Sequence, residues 1–130
     1  MSAEPVVLIV EDNQLTRTML KDALKDVKCE VREVLDGEAA ALEIAEHPPA
    51  VMLLDLVLPK RSGSEVLKLV KEKRLPTRVL IITAMDTPKM ADQAIDDGAH
   101  GFIGKPFHPL EVRNAVEGAL AAAAAAGAGA

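Results

Sequence analysis

The stretch VMLLDLVLP, Val51 to Pro59, runs four apolar residues straight into an aspartate and then continues apolar. Losing water penalises a charged carboxylate unless partners replace it. A core-like segment carrying Asp55 therefore needs an explanation. A continuous apolar run of this length suits a strand covered on both faces of a parallel sheet. Two runs of the same kind frame it, VVLIV (Val6 to Val10) and VLIIT (Val79 to Thr83).

Between these runs the apolar period changes. After Asn13, a candidate N-cap, Leu15, Met19, Leu20, Ala23, Leu24 and Val27 recur at helical spacing. CEVREV, Cys29 to Val34, places Cys29, Val31 and Glu33 on one side and Glu30, Arg32 and Val34 on the other, a polar strand suited to a sheet edge. Asp36-Gly37 leads into a second helix that ends near Glu46, before Pro48-Pro49. SGSEVLKLVKEKR carries a third helix. TPKMADQAIDDG reads as a fourth, with Thr87 as N-cap, Pro88 at the first helical position and Gly98 past its end. GFIGK is a short fifth strand, and Pro109 opens a last helix that runs into AAAAAAGAGA. Alanines prolong such a helix and glycines let it fray.

Five strands alternating with five helices predict an α/β fold with one parallel sheet, right-handed crossovers and helices on both faces. In such sheets the ligand site lies at the carboxyl ends of the strands, where strand order reverses. The residues that close the strands are Glu11-Asp12, Asp55, Thr83 and Lys105. All are expected on one edge, so Asp55 sits where a core strand surfaces. Three carboxylates and one ammonium leave this cluster about two charges short of neutral, and crowded like charges force protonation unless a cation joins them. A hard divalent ion such as Mg²⁺ suits these oxygen donors. An aspartate can take a phosphoryl group as a covalent acyl phosphate. Such a transfer needs a metal, a lysine and a hydroxyl donor around the moving group.

Composition narrows the alternatives. The chain has 130 residues, one domain's worth, and only 2% are aromatic, so its core must be aliphatic. Its net charge is -5 with both signs mixed, which speaks against a nucleic-acid surface. The basic segment Lys68 to Arg74 alternates with apolar residues and reads as a solvated helix face. Cys29 is the only cysteine, so no intrachain disulfide can form. The N-terminus lacks the basic region of a signal peptide, and no apolar stretch reaches the roughly 20 residues of a membrane helix. The expectation is a soluble, cytoplasmic domain. His47, His100 and His108 are scattered near turns and read as surface residues, His108 near the cap of the last helix.

The acidic pair of VEDN, the aspartate of LLDLVLP, the Thr-Ala of IITAM and the Lys-Pro of FIGKPF together resemble the receiver domain of two-component response regulators, from Val6 to about Leu120. The resemblance implies a flavodoxin-like, doubly wound (βα)5 domain with sheet order 2-1-3-4-5. Residues 1–120 would form the receiver, and 121–130 an Ala/Gly-rich tail or linker stub. It implies that Asp55 is the phosphoacceptor and that Glu11, Asp12, Asp55 and the backbone carbonyl of Val57 hold Mg²⁺. Lys105 would pair with the phosphoryl group, joined to Pro106 by a cis bond. Thr83 would turn its hydroxyl to the phosphoryl oxygen, and Phe102 would be the switch aromatic.

As a signalling switch, the domain would catalyse only its own phosphorylation and dephosphorylation. The donor would be a sensor histidine kinase or histidine phosphotransfer protein. A downstream protein would read the face of the fourth helix, fifth strand and fifth helix. No direct nucleic-acid or membrane contact is implied, and the expected state is a monomer that can dimerise on phosphorylation. Two positions depart from the commonest forms: Glu11 is longer than Asp, and Phe102 lacks the hydroxyl of Tyr. Val57 and Met85 flank the site and cannot position an attacking water, which implies slow self-dephosphorylation. Three rival readings fit parts of the pattern. A haloacid-dehalogenase-type phosphatase needs a second aspartate where Val57 stands. A receiver-like module without phosphorylation would lack one of the acids or the lysine, and none is missing. A receiver cut from a larger regulator is the third.

Overall fold

The computed structural model describes residues 4–128. Strands β1 (Val6–Val10), β2 (Glu30–Val34), β3 (Val51–Leu54), β4 (Arg78–Thr83) and β5 (Gly101–Gly104) alternate with helices α1 (Gln14–Ala23), α2 (Gly37–Glu46), α3 (Gly63–Glu72), α4 (Pro88–Asp96) and α5 (Pro109–Ala128). All strand pairs are parallel, in the order β2-β1-β3-β4-β5. The expected doubly wound α/β fold is therefore present. The chain winds outward from β1 to β2, then returns past β1 to β3, so the order reverses between β1 and β3.

Period-two alternation sorts each central strand onto two cores. Val7, Ile9, Leu53, Leu80, Ile82 and Ile103 face α1 and α5 and meet Leu20, Leu24, Val112 and Val116. Leu8, Val10, Met52, Leu54 and Ile81 face the other way, onto Ala40 and Ile44 of α2, Val66 and Leu67 of α3, and Ala94 of α4. β1 and β3 are covered on both sides, which is why they read as unbroken apolar runs. β2 lies at the sheet edge and is only half-buried, as its charged alternation predicts.

Helix starts follow the cap chemistry. The side chains of Asn13, Asp36, Ser62 and Thr87 accept the backbone N–H three residues on, satisfying donors that the first turn leaves open. Pro88 follows at the first helical position, and Gly98 adopts φ +109 past the end of α4. One boundary differs from the sequence expectation. α1 ends at Ala23 although its apolar pattern runs to Val27; Leu24 and Val27 still pack on the core, from a turn closed by the Val27 N–H on the Leu24 carbonyl. α5 continues through Leu120 to Ala128 without a break, as its alanines favour. The expected fraying at the tail glycines is not seen at Gly127, which lies within α5; Gly129 lies outside the described residues.

Candidate functional site

Register places the site. Val10 pairs with Leu54, so Glu11 and Asp55 leave the sheet side by side. The ladder continues one step past each strand end. The Glu11 N–H donates to Val34 O at 3.2 Å, Asp55 N–H to Val10 O at 3.2 Å, and Lys105 N–H to Thr83 O at 2.9 Å. Backbone positions at the carboxyl edge are thus set before any side-chain interaction. The helix that follows Asp55 is brought in closely: a Cβ on Gly63 would lie 2.0 Å from the Asp55 carbonyl oxygen, so only glycine admits this approach.

The side chains then converge on Lys105. Its Nζ donates to Glu11 Oε1 at 2.6 Å and to Asp55 Oδ2 at 2.7 Å. Glu11 is 3% and Asp55 7% exposed. Their other oxygens are also engaged: Asn13 N–H donates to Glu11 Oε2 at 3.1 Å, and Val57 N–H to Asp55 Oδ1 at 3.1 Å. This resolves the aspartate at the end of a core segment. Asp55 is buried, and a lysine and a backbone N–H replace its water.

Burial pushes the Glu11 carboxyl above the usual carboxylate range, against the pull of Lys105 and the Asn13 N–H. Burial also acts against the Lys105 ammonium, but the hydrogen bonds it donates to Asp55 and Glu11 outweigh it and raise the lysine's pKa. The cation is therefore held charged. The Lys105–Pro106 bond is cis, as the resemblance implies.

The other expected residues sit nearby in less committed states. Asp12 is exposed. Thr83 is fully buried, and its Oγ1 accepts the Met85 N–H at 3.3 Å, within its own loop. Phe102 is half-buried against the core on the α4 side. Sequence reading did not find two contributors, the close-approach glycine Gly63 and the backbone N–H of Asn13. The first had a faint signal, a glycine between two serines at a helix start; the second had none, because any residue offers an N–H.

The donors present fit a hard divalent cation. The Asp12 carboxylate is exposed on the residue that follows Glu11, and the Val57 carbonyl lies in the same loop as Asp55. Among the described residues, no three His, Cys, Asp or Glu side chains stand close enough together to hold a metal unaided. The three carboxylates expected to converge are instead divided, two on Lys105 and one in solvent. Mg²⁺ does not require a protein cage, since it keeps several waters and takes one or two carboxylates.

A five-stranded doubly wound sheet with a buried aspartate held on a lysine at its switch point defines the class of protein. A family model described as the response regulator receiver domain matches residues 7–117. The chain belongs to that family, the receiver domains of two-component signalling systems. It is 36% identical to the chemotaxis protein CheY of Listeria monocytogenes over 112 residues, which is 85% of this chain and 94% of that one. It is 33% identical to the transcriptional regulatory protein CiaR of Streptococcus pneumoniae, covering 88% of this chain but half the length of that regulator. Among solved structures, the signal receiver domain of a protein described as the response regulator NarL from Mycobacterium tuberculosis superposes with a TM-score of 0.85 at 36% identity, over 92% of this chain and 98% of that one.

Proposed function

We propose that this domain is a phosphorylation-dependent switch in which Asp55 accepts a phosphoryl group. The observation that carries the reading is the buried Asp55 carboxylate at the end of β3, hydrogen-bonded to Lys105 at 2.7 Å. A carboxylate oxygen attacks phosphorus, an Asp55 O–P bond forms and the donor's N–P bond breaks. The donor is a phosphohistidine on a sensor kinase or phosphotransfer protein, and its imidazole leaves. Lys105 already faces Oδ2 and can follow the charge onto the incoming phosphoryl oxygens. Thr83 turns its hydroxyl from Met85 N–H to the phosphoryl group. Glu11, Asp12, Asp55 and the Val57 carbonyl would hold Mg²⁺, which would neutralise charge on the transferring group.

The output is a changed face made by α4, β5 and α5, with Phe102 as the moving aromatic, read by a downstream protein. The chemistry is confined to the domain's own phosphorylation and dephosphorylation. No helix among the described residues is long and apolar enough to cross a membrane, and a cytoplasmic site of action goes with a phosphohistidine donor. Residues 121–130 form a tail or linker that begins as a continuation of α5.

The test is intact mass after incubation with acetyl phosphate and Mg²⁺, on wild type and Asp55→Asn. One added phosphoryl group in the wild type alone is expected. No gain in a folded, Mg²⁺-supplied wild type overturns the phosphoacceptor and leaves an interaction module of the unmodified form.

A further inference from the structure

We infer that Arg17 is a positioning residue, holding the Glu11-Asp12 turn in the shape that receives Mg²⁺; this rests on the reading of Asp55 as a Mg²⁺-dependent phosphoacceptor. Arg17 lies on α1, yet its side chain turns back under the loop that precedes the helix. Its Nη1 donates to two successive backbone carbonyls, Glu11 O and Asp12 O, each at 3.0 Å. Its Nε stands 3.2 Å from Glu33 Oε1 on the edge strand β2. Glu33 is itself steadied by Lys21, whose Nζ is 3.2 Å from Oε2. The Arg17 side chain is only 14% exposed.

A guanidinium is planar and its donors keep fixed relative directions. One that binds two consecutive carbonyls on one side and a carboxylate on the other therefore resists rotation of the peptide between Glu11 and Asp12. That peptide sets where the Asp12 carboxylate points. Asp12 is exposed, so its direction depends on the backbone beneath it. Glu33 extends the support to the sheet edge, which makes the acidic turn a braced feature of β1, α1 and β2 together.

Electrostatics and positioning oppose each other here, and this makes the role testable. A cation beneath a cation site repels the ion, so charge alone predicts that removing Arg17 tightens Mg²⁺ binding. Positioning predicts the reverse. Groups that orient a ligand without touching the metal cost about 10- to 100-fold in affinity when removed.

The experiment is calorimetric titration with MgCl₂ of the full chain, as wild type, Arg17→Ala, Arg17→Lys, Glu33→Gln and Lys21→Ala. Arg17→Ala is expected to weaken binding about 10-fold. Arg17→Lys, which lacks the fork, and Glu33→Gln should shift the same way but less. Lys21→Ala, which loosens Glu33 without touching the turn itself, should weaken binding less than Glu33→Gln does. Phosphoryl uptake from acetyl phosphate by Arg17→Ala should return to the wild-type rate at saturating Mg²⁺, a split that general loosening of the fold does not produce. A folded Arg17→Ala that binds Mg²⁺ as tightly as wild type, or more tightly, overturns the inference. Should Arg17→Ala fail to fold, Arg17→Lys and Glu33→Gln decide, and wild-type affinity in both overturns it. A wild type that takes up no Mg²⁺ removes the metal reading itself and this inference with it, a failure visible before any variant is compared.

Discussion

Lys105 faces two carboxylates at 2.6 and 2.7 Å, so the group Glu11–Lys105–Asp55 carries one surplus negative charge. Neutralising either partner of Lys105 removes that surplus, whereas substituting the lysine strands two buried acids. Lys105→Met should therefore destabilise the fold by about 2 kcal/mol, since hydrogen bonds to buried charges are worth more than neutral ones. Asp55→Asn should stay within about 1 kcal/mol of wild type, because it leaves a neutral Glu11–Lys105 pair. Urea denaturation of the three proteins at neutral pH checks this; equal losses for both variants would contradict the arrangement. The site mouth bears on the lifetime of the phosphorylated form. Val57 is 60% and Met85 43% exposed, so apolar side chains border the opening where a water must line up. Replacing them with Val57→Asn and Met85→Glu should shorten the phosphoryl lifetime several-fold, followed as decay of the mass-shifted species. An unchanged lifetime would remove that role from both positions.

At the scale of elements, caps and strand ends carry most of the information that the sequence made legible. Apolar runs stop where strands meet solvent or the site, so Glu11, Asp55, Thr83 and Lys105 could be placed from spacing alone. The C-terminal end of α1 could not, because Leu24 and Val27 remain core residues after the helix has turned, and a burial pattern does not distinguish the two. Two elements yield predictions. Gly118 lies within α5, and a Cβ there meets nothing within 4 Å. Gly118→Ala should raise stability by about 0.5–1 kcal/mol, the usual cost of glycine inside a helix. Gly104→Ala should do the opposite, since its Cβ would fall 2.0 Å from the Asp86 carboxylate. Thermal midpoints of the two variants should move in opposite directions. The β4–β5 pair supplies a pH dependence. His100 N–H donates to Val79 O at 2.7 Å, and its neutral Nδ1 accepts the Val79 N–H at 3.0 Å. Burial, with Arg78 nearby, lowers its pKa below the usual histidine value. The folded form then binds fewer protons than the unfolded one, so its contribution is full above about pH 6.5 and declines as pH falls from there toward the folded pKa. The stability difference between wild type and His100→Gln should shrink as pH drops below about 6.5. A constant difference from pH 7.5 to 5 would show that Nδ1 does not depend on the neutral ring.

At the scale of the whole molecule, the proposed switch would depend on how two strand ends communicate across the sheet. Sequence spacing brought Thr83 to the carboxyl edge and the family resemblance singled out Phe102, two residues back from the end of β5, but neither could give their partners. Glu11 and Lys105 are 94 residues apart, and which oxygen a lysine chooses is decided by side-chain directions that no periodicity encodes. The same limit explains why three carboxylates expected to converge on a metal are divided between Lys105 and solvent. What the structure adds is the present partner of Thr83: its hydroxyl accepts the Met85 N–H, so the β4–α4 loop is tied to the residue that the proposed switch would turn toward Asp55. On the proposed reading, phosphorylation of Asp55 would break that 3.3 Å hydrogen bond before the loop moved. Its replacement is a hydrogen bond to a charged oxygen, worth about 1.5–3 kcal/mol, enough to shift a two-state equilibrium by about 10- to 100-fold. Thr83→Ala should therefore still take up the phosphoryl group but lose the response. Amide chemical shifts of α4, β5 and the loop Ala84 to Thr87, recorded with acetyl phosphate and Mg²⁺, should change in wild type and stay near their unmodified values in Thr83→Ala. Full shifts in a Thr83→Ala protein that carries the phosphoryl group would place the trigger elsewhere, in the charge on Asp55 acting directly through Lys105 and β5.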